Sequence, residues 1–391
     1  MYGPWRYQVI PKEEIAQKLA LYAYAKEHSE AGITSVTFQP CLNEDERSQD
    51  RRIVHTWPLK NGIWKFIAIL DGHAGHDTVD YTVEELPRRI KFKLEELIQS
   101  VEGQLSPQDI SSALQAAISE LDVHILDEFA SLFPGGIESI SQLSAEEIDN
   151  IINDGGERLT KVHRCMRGTT ALVAVIDPAG ENLWIANLGD CEAVLGESIN
   201  NNRWQASRIT SPHNGDNAEE VQRVREQHLG EEECILNKRV LGAIAVTRAI
   251  GDFAFKVPIS ITRRVFLEAR PGFTLSTDIE RWLPRNLTPP YLSNKADVFH
   301  HKIIKESTSE TSSFLIMYSD GLTDPRVVGE NPSIEHWVNA AGKAIKEGRN
   351  AALEILKEAI GGEDDDEVSQ YLMLESTDSW MDDITIAVVR L

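Results

Sequence analysis

Short, unbroken apolar runs that stop against an aspartate constrain this chain more than any other feature. "FIAIL" (66–70) runs into Asp71-Gly72-His73, "FLIMY" (314–318) runs into Ser319-Asp320-Gly321, and Asp382-Asp383 opens "ITIAVV" (384–389). Runs of this length bounded by turn residues read as strands. Side chains at strand ends leave the core and point into a crevice, which is a common place for a site. Asp-Gly after a strand is also ordinary turn chemistry, and each one singly reads more readily as a turn than as a ligand. Three at strand ends move the balance toward a site.

The charge balance narrows the function classes. Among 391 residues, 62 are acidic and 39 basic, giving a net charge of −23. Such a surface repels phosphate backbones and anionic lipid, which opposes a general nucleic-acid or membrane binder. A metal-dependent nuclease is opposed for the same reason, since no basic stripe is present. The four cysteines (Cys41, Cys165, Cys191, Cys234) show no CxxC spacing and read as thiols in a reducing compartment. The first thirty residues carry early acids and no basic region followed by a pure apolar run, and no stretch reaches the length of a membrane span. The expectation is an intracellular protein without a membrane span, in cytoplasm or nucleus, with the mitochondrion as the alternative.

Helical and strand periodicities alternate along the chain. "VEELPRRIKFKLEELIQS" places Ile90, Leu94 and Leu97 on one face. "SPQDISSALQAAISELDVHIL" does the same with Ile110, Leu114, Ile118, Leu121 and Ile125, behind Ser106 as N-cap and Pro107 at the first helical position. Residues 134–161 are polar, contain one short helix and read as an insertion. "TTALVAVI" (169–176) and "NLWIANLGD" (182–190), joined by Pro178-Ala179-Gly180, predict an antiparallel pair. Helices are expected at 217–230, 334–348 and 350–360, and "GEDDDE" (362–367) reads as a solvated acidic loop. The pattern predicts an α+β sandwich of sheets and helices.

Carboxylates that cluster without a neighbouring Lys or Arg cost several kcal/mol when partly buried. A divalent cation is the usual compensation, and an all-oxygen ligand set favours Mg²⁺ or Mn²⁺ over Zn²⁺. Phosphate-cleaving enzymes often hold two such ions about 3.5–4 Å apart.

Six segments occur in order: "AILDGHAG" (68–75), "RGTTALVAVI" (167–176), "LWIANLGDCEAVL" (183–195), "RVLGAIAVTRAIGDFAFK" (239–256), "FLIMYSDGLTD" (314–324) and "DDITIAVV" (382–389). Together they resemble the metal-dependent protein phosphatases of the 2C type, and the resemblance covers residues 45 to 391. The "DDIT" ending and the insertion before "RGTTA" are most similar to the pyruvate dehydrogenase phosphatase branch and its fungal relatives. The implied fold is a β-sandwich of two mainly antiparallel sheets flanked by helices. The implied organisation is an N-terminal extension (1–40) and one catalytic domain (41–391) with a variable segment at 257–311.

The resemblance also implies site roles. Asp71 would bridge two metal ions, Mg²⁺ or Mn²⁺, and the Gly72 carbonyl would ligate one of them. Asp320 and Asp382 would hold the other, while Asp190, with Asp324 beside it, would help bind a third, weaker ion; for Asp190 and Asp324 a turn or cap is an equal reading. His73 is similar to the histidine that serves as general acid to the leaving alcohol, whereas His76 reads as a surface helix residue. Asp50 is the first acidic ligand by hairpin length, with Asp45 as rival; the residue before it, glutamate in many members, is Gln49. Arg248 and Asp252 would pair beneath the site, and His213 reads as a hydrogen-bonded core or loop histidine.

One departure is the absence of the arginine that in many members grips the substrate phosphate four or five residues before this aspartate. Glu46 and Asp45 stand there, and Arg47, Arg51 and Arg52 read as solvated surface charges. The implied function is hydrolysis of phosphoserine and phosphothreonine in a protein substrate by a water that two metal ions activate, in a monomer. The competing reading is a pseudophosphatase that recognises a partner without turnover, supported only by the missing arginine.

Overall fold

The computed structural model describes residues 6–40, 48–100, 105–200, 203–304, 313–324, 327, 333–374 and 380–391. The strands that matter below are β1 (Lys26–His28), β2 (Ile33–Phe38), β3 (Arg51–Leu59), β4 (Gly62–Leu70), β5 (Ala171–Ile176), β6 (Asn182–Leu188), β7 (Glu192–Asn200), β8 (Arg203–Arg208), β9 (Asp297–Lys302), β10 (Ser313–Tyr318) and β11 (Ile384–Arg390). The helices are α1 (Lys12–Tyr22), α2 (Asp77–Ser100), α3 (Pro107–Ala130), α4 (Ala145–Ile152), α5 (Glu157–Met166), α6 (Ala218–Gln227), α7 (Ile334–Lys346), α8 (Ala351–Ala359) and α9 (Asp365–Met373).

Two antiparallel sheets lie face to face. One has six strands in the order β1-β2-β11-β10-β7-β8, the other five in the order β9-β6-β5-β4-β3. The apolar runs do not alternate because both faces of their strands are covered. In β4, Phe66, Ala68 and Leu70 pack into the layer under α2 and α3, while Ile67 and Ile69 enter the core between the sheets. In β10, Phe314, Ile316 and Tyr318 face α7 and α8, while Leu315 and Met317 meet Ile67 and Ile69 between the sheets. The result is four layers, helix–sheet–sheet–helix, as the resemblance implied.

Local chemistry sets the helix ends. Ser106 caps α3, accepting from the Asp109 amide while the Asp109 side chain reaches back, with Pro107 at the first position. Two expectations are corrected. The acidic "GEDDDE" segment is no loop: Asp364 caps α9, and Asp365, Asp366 and Glu367 occupy its first turn, where carboxylates complement the helix dipole. Residues 6–40 are also no appendage. β2 pairs with β11 over Ile33↔Val389 to Phe38↔Ile384, so this segment completes the six-stranded sheet. The polar 134–161 stretch anchors itself through buried Ile140, Ile148 and Ile152. No described helix is long and apolar enough to cross a membrane.

Candidate metal centre

The strands of both sheets end at one rim, and that rim is acidic. Asp71 follows β4, Asp190 follows β6, Asp320 follows β10, Asp382 precedes β11 and Asp50 precedes β3. Ligand atoms of Asp71, Asp190 and Asp320 all lie within 4.8 Å of one another. Asp382 lines the same cavity of about 550 Å³, together with Gly72, His73, Thr170 and Asp383. Asp50 is buried behind it at 3% exposure, its Oδ2 accepting from the Ser319 hydroxyl at 2.6 Å.

Electrostatics at this rim are unbalanced. Burial, followed by the charges of Asp320, Asp50, Asp190 and Asp382, raises the Asp71 carboxyl well above the ordinary range. Burial and then Asp190 push Asp320 up to about 7, and burial and then Asp320 push Asp382 up to about 7. Burial is also the first cause lifting Asp190 to about 6, and Asp50 rises through burial and Asp383. Carboxylates this close cannot all ionise without a compensating cation. Among the described residues lining the cavity, Arg239 is the only lysine or arginine, and its guanidinium donates to the Ala243 carbonyl at 3.0 Å. Asp50 Oδ1 and Asp190 Oδ1 are buried with no protein hydrogen-bond partner. Oxygen-only donors with orphaned buried acceptors fit a hard divalent ion such as Mg²⁺ or Mn²⁺.

Of the sequence candidates, Asp71, Asp190, Asp320, Asp382, Gly72 and His73 are brought to one cavity, with Asp50 behind it. Asp324 closes the short turn Asp320–Thr323 and does not line the cavity, though its charge contributes to raising Asp320. Asp45, the rival to Asp50, and Arg47 lie outside the described residues. Arg51 and Arg52 are half-buried and engaged, not solvated. Arg51 binds Asp80 at 2.8 Å and the Ser48 carbonyl at 2.6 Å, while Arg52 reaches the Tyr24 carbonyl on the far side of β3. His76 is half-buried beside the Arg51 guanidinium at 3.3 Å.

His73 sits in a three-stranded ladder of two-residue strands, Ile250–Gly251, Gly168–Thr169 and Gly72–His73. That ladder delivers Asp252 to it: His73 Nε2 lies 2.6 Å from Asp252 Oδ2. Burial acts to lower the His73 pKa, but the charge and hydrogen bond of Asp252, with Asp190 and Asp320 beyond, raise it overall. The expected pairing of Asp252 with Arg248 is therefore wrong. Arg248 turns the other way, to Glu220 at 2.6 Å and Asp297 at 2.9 Å, while Asp252 adopts a left-handed φ of 54° that aims its carboxylate at His73. His213 is a core histidine, 2% exposed, accepting from the Gly189 amide at Nδ1 and bonding Asp297 through Nε2.

Two further residues escaped sequence reasoning. Asp383 accepts from the Gln49 amide at 2.6 Å and from Gln39 at 2.8 Å, tying the segment before β3 to the strand start of β11. Gly168 leaves room for the His73–Asp252 pair, since a Cβ there would collide with both side chains. Gly168→Ala is accordingly expected to destabilise the fold by about 1–3 kcal/mol, the cost of overpacking. It should lower turnover more than Gly156→Ala, where φ is −128° and the added Cβ meets only the Asp154 side chain, at 3.8 Å. Equal turnover and melting temperature in the two variants would contradict this placement.

Comparison with known proteins agrees with the geometry. A sequence model described as protein phosphatase 2C matches residues 39–361. The mitochondrial [pyruvate dehydrogenase [acetyl-transferring]]-phosphatase 1 of Bos taurus is 29% identical over 262 residues, covering 57% of this chain and 47% of the relative. A protein phosphatase 2C homolog of Schizosaccharomyces pombe is 26% identical over 388 residues, covering 92% of this chain and 80% of the relative. The chain thus spans about half the length of the dehydrogenase phosphatases it matches. The crystal structure of a serine-threonine phosphatase 2C from Toxoplasma gondii superposes with a TM-score of 0.55 at 14% identity, covering 100% of this chain and 99% of that one, a likeness of fold. With a family model over most of its length, and Asp71, Asp190 and Asp320 gathered at the rim of the shared sandwich, the chain belongs to the protein phosphatase 2C family.

Proposed function

We propose that this chain is a Mg²⁺/Mn²⁺-dependent phosphatase of phosphoserine and phosphothreonine in proteins. The observation that carries the reading is the Asp71–Asp190–Asp320 cluster, whose raised proton affinities mark a site in need of cations. Asp50, Asp71, Asp320 and Asp382, with the Gly72 carbonyl, would hold two ions, and Asp190 a third, weaker one. Such ions, when bound, supply positive charge to phosphoryl oxygens and acidify water.

The chain's own groups do the rest. Asp71 and Asp190 stand at the ends of β4 and β6, the two strands that flank β5 in one sheet, and Thr170 lines the cavity with them. His73, with Nε2 committed to Asp252, holds its exchangeable proton at Nδ1 for the departing serine or threonine oxygen. The names of the relatives make a phosphorylated dehydrogenase the first protein substrate to try, and the mitochondrion a compartment to test beside cytoplasm and nucleus.

The test is hydrolysis of a phosphothreonine peptide by the full chain with Mn²⁺ and with EDTA. Turnover that requires Mn²⁺ is expected. Folded protein that binds Mn²⁺ in calorimetry yet releases no phosphate would overturn the reading and leave a non-catalytic binding protein.

A further inference from the structure

The open edge of the five-stranded sheet carries a second, unrelated feature. β3 is the terminal strand of that sheet and pairs with β4 alone, from Arg51↔Leu70 to Leu59↔Gly62. Among the described residues nothing pairs with its outer edge. Consecutive residues Arg52, Ile53, Val54 and His55 line one cleft of about 520 Å³, which is possible only where the cleft wraps an edge and meets both faces of the strand. β1 forms one wall of this cleft through Lys26 and His28, and α2 forms the other through Arg88 and Lys91.

In a chain of net charge −23, this cleft is basic. Lys26, Arg52, Arg88 and Lys91 line it against the single carboxylate of Glu84. The cations of the α2 wall have neighbours on their own helix, Arg88 with Glu84 and Glu85 and Lys91 with Glu95 at 3.7 Å, pairs in the solvent-exposed class that contributes little. Among the described residues the β1 wall has no such partners. Arg52 bonds the Tyr24 carbonyl and the Thr37 hydroxyl, and burial pulls its pKa down to about 10 with no carboxylate opposing it. His28 Nε2 is buried without a hydrogen-bond partner, and after burial the groups lowering its pKa are Arg52 and Lys26. An unpaired strand edge and a positive field with an orphaned ring nitrogen converge on one place.

We propose that the outer edge of β3 takes an extended acidic peptide of a partner protein as an added strand, its carboxylates held by Lys26 and Arg52 on one side and by Arg88 and Lys91 on the other. Strand addition supplies main-chain hydrogen bonds, and alternate side chains of the peptide meet opposite walls. Both walls being basic, acids at successive positions are read on each side, while Val54, Trp57 and Val83 supply apolar contact between them. Inward-facing charges also serve to keep edges unpaired. The two roles separate by experiment.

The full chain is titrated into a short fluorescent peptide of repeating Glu-Glu-Val-Val, which presents glutamates to both walls of an added strand, read by anisotropy at low and physiological salt. Three arms accompany it: the same peptide N-methylated at alternate amides, Lys26→Glu with Lys91→Glu, and Lys91→Glu alone. Lys26 is exposed and the Lys91 side chain is 42% exposed, so neither change disturbs a core. Saturable binding is expected, weakened about tenfold or more by N-methylation and by the double reversal, and less by the single one. Release of phosphate from p-nitrophenyl phosphate should be unchanged in both variants, because the cleft is separate from the acidic cavity. No saturable binding, equal binding of the N-methylated peptide, or equal binding by the double variant would each overturn the proposal.

Discussion

Asp71→Asn is expected to lower kcat/KM on a phosphothreonine peptide by at least about 10³-fold, several kcal/mol of transition-state stabilisation, and to raise the melting temperature of the chelated protein. The two effects share one cause. Burial and the charges of Asp320, Asp50, Asp190 and Asp382 raise Asp71 well above the ordinary range, so its ionisation opposes folding, and the neighbours Asp320 and Asp382 titrate at about 7 in the fold. In the unfolded chain each would titrate at about 3.9. The folded protein therefore binds more protons than the unfolded one across this interval. Its stability is fully present below about pH 4 and is lost as pH rises through about 6 to 7. Removing the Asp71 charge relieves repulsion in that upper window. A higher melting temperature than that of the wild type is therefore expected for the variant at pH 7.5 in EDTA. Saturating Mn²⁺ should invert the order, because only the wild type gains the binding energy in full. A wild-type protein in EDTA whose melting temperature climbs between pH 5 and 7.5 would refute the account, as would a fully active variant.

Much of this site is legible in the sequence because its ligands are tied to strand ends. An apolar run that stops at Asp71 or Asp320 fixes both the strand and the direction in which the carboxylate leaves it. Hairpin length favours Asp50 over Asp45, and Asp50 leads directly into β3, which pairs residue by residue with β4. What stayed hidden depends on distant partners. β2 is six residues long, and its place in the sheet is decided by β11, some 350 residues later. Asp252 lies 179 residues from His73, and the strands that join them are two residues long, too short for any periodic signal. The resemblance implies an ion pair between Arg248 and Asp252, yet no helix connects the two residues to place them on one face. The left-handed φ at Asp252 and the Gly251 amide bonded to Asp122 decide its direction instead. Acid runs such as 362–367 mislead for a related reason: at a helix N-terminus acids stabilise regular structure that their polarity alone argues against.

Under the proposed function, Asp252→Asn is expected to separate a phosphothreonine peptide from p-nitrophenyl phosphate as substrates. Asp252 is fully buried, its Oδ2 accepts a hydrogen bond from His73 Nε2 at 2.6 Å, and its Oδ1 has no partner. Its backbone is pinned by the Arg167 carbonyl, which accepts from the Asp252 amide at 2.8 Å. Asp122 Oδ1 accepts from the Gly251 amide and from Lys256, each at 2.8 Å. This carboxylate can move little, so what it gives His73 is orientation and a negative charge that favours the doubly protonated ring. Asparagine keeps the shape and loses the charge. General acid catalysis contributes about 10²–10⁴-fold where the leaving group needs a proton. A serine or threonine alkoxide needs one; a nitrophenolate does not. Turnover of a phosphothreonine peptide should therefore fall about 10²-fold, and that of p-nitrophenyl phosphate less than tenfold. In a His73→Ala background the same substitution should cost almost nothing further, because the two residues act as one unit. Damage to the fold alone would slow both substrates alike and add to the His73→Ala loss, and that outcome would reduce Asp252 to a buried charge with no part in the reaction.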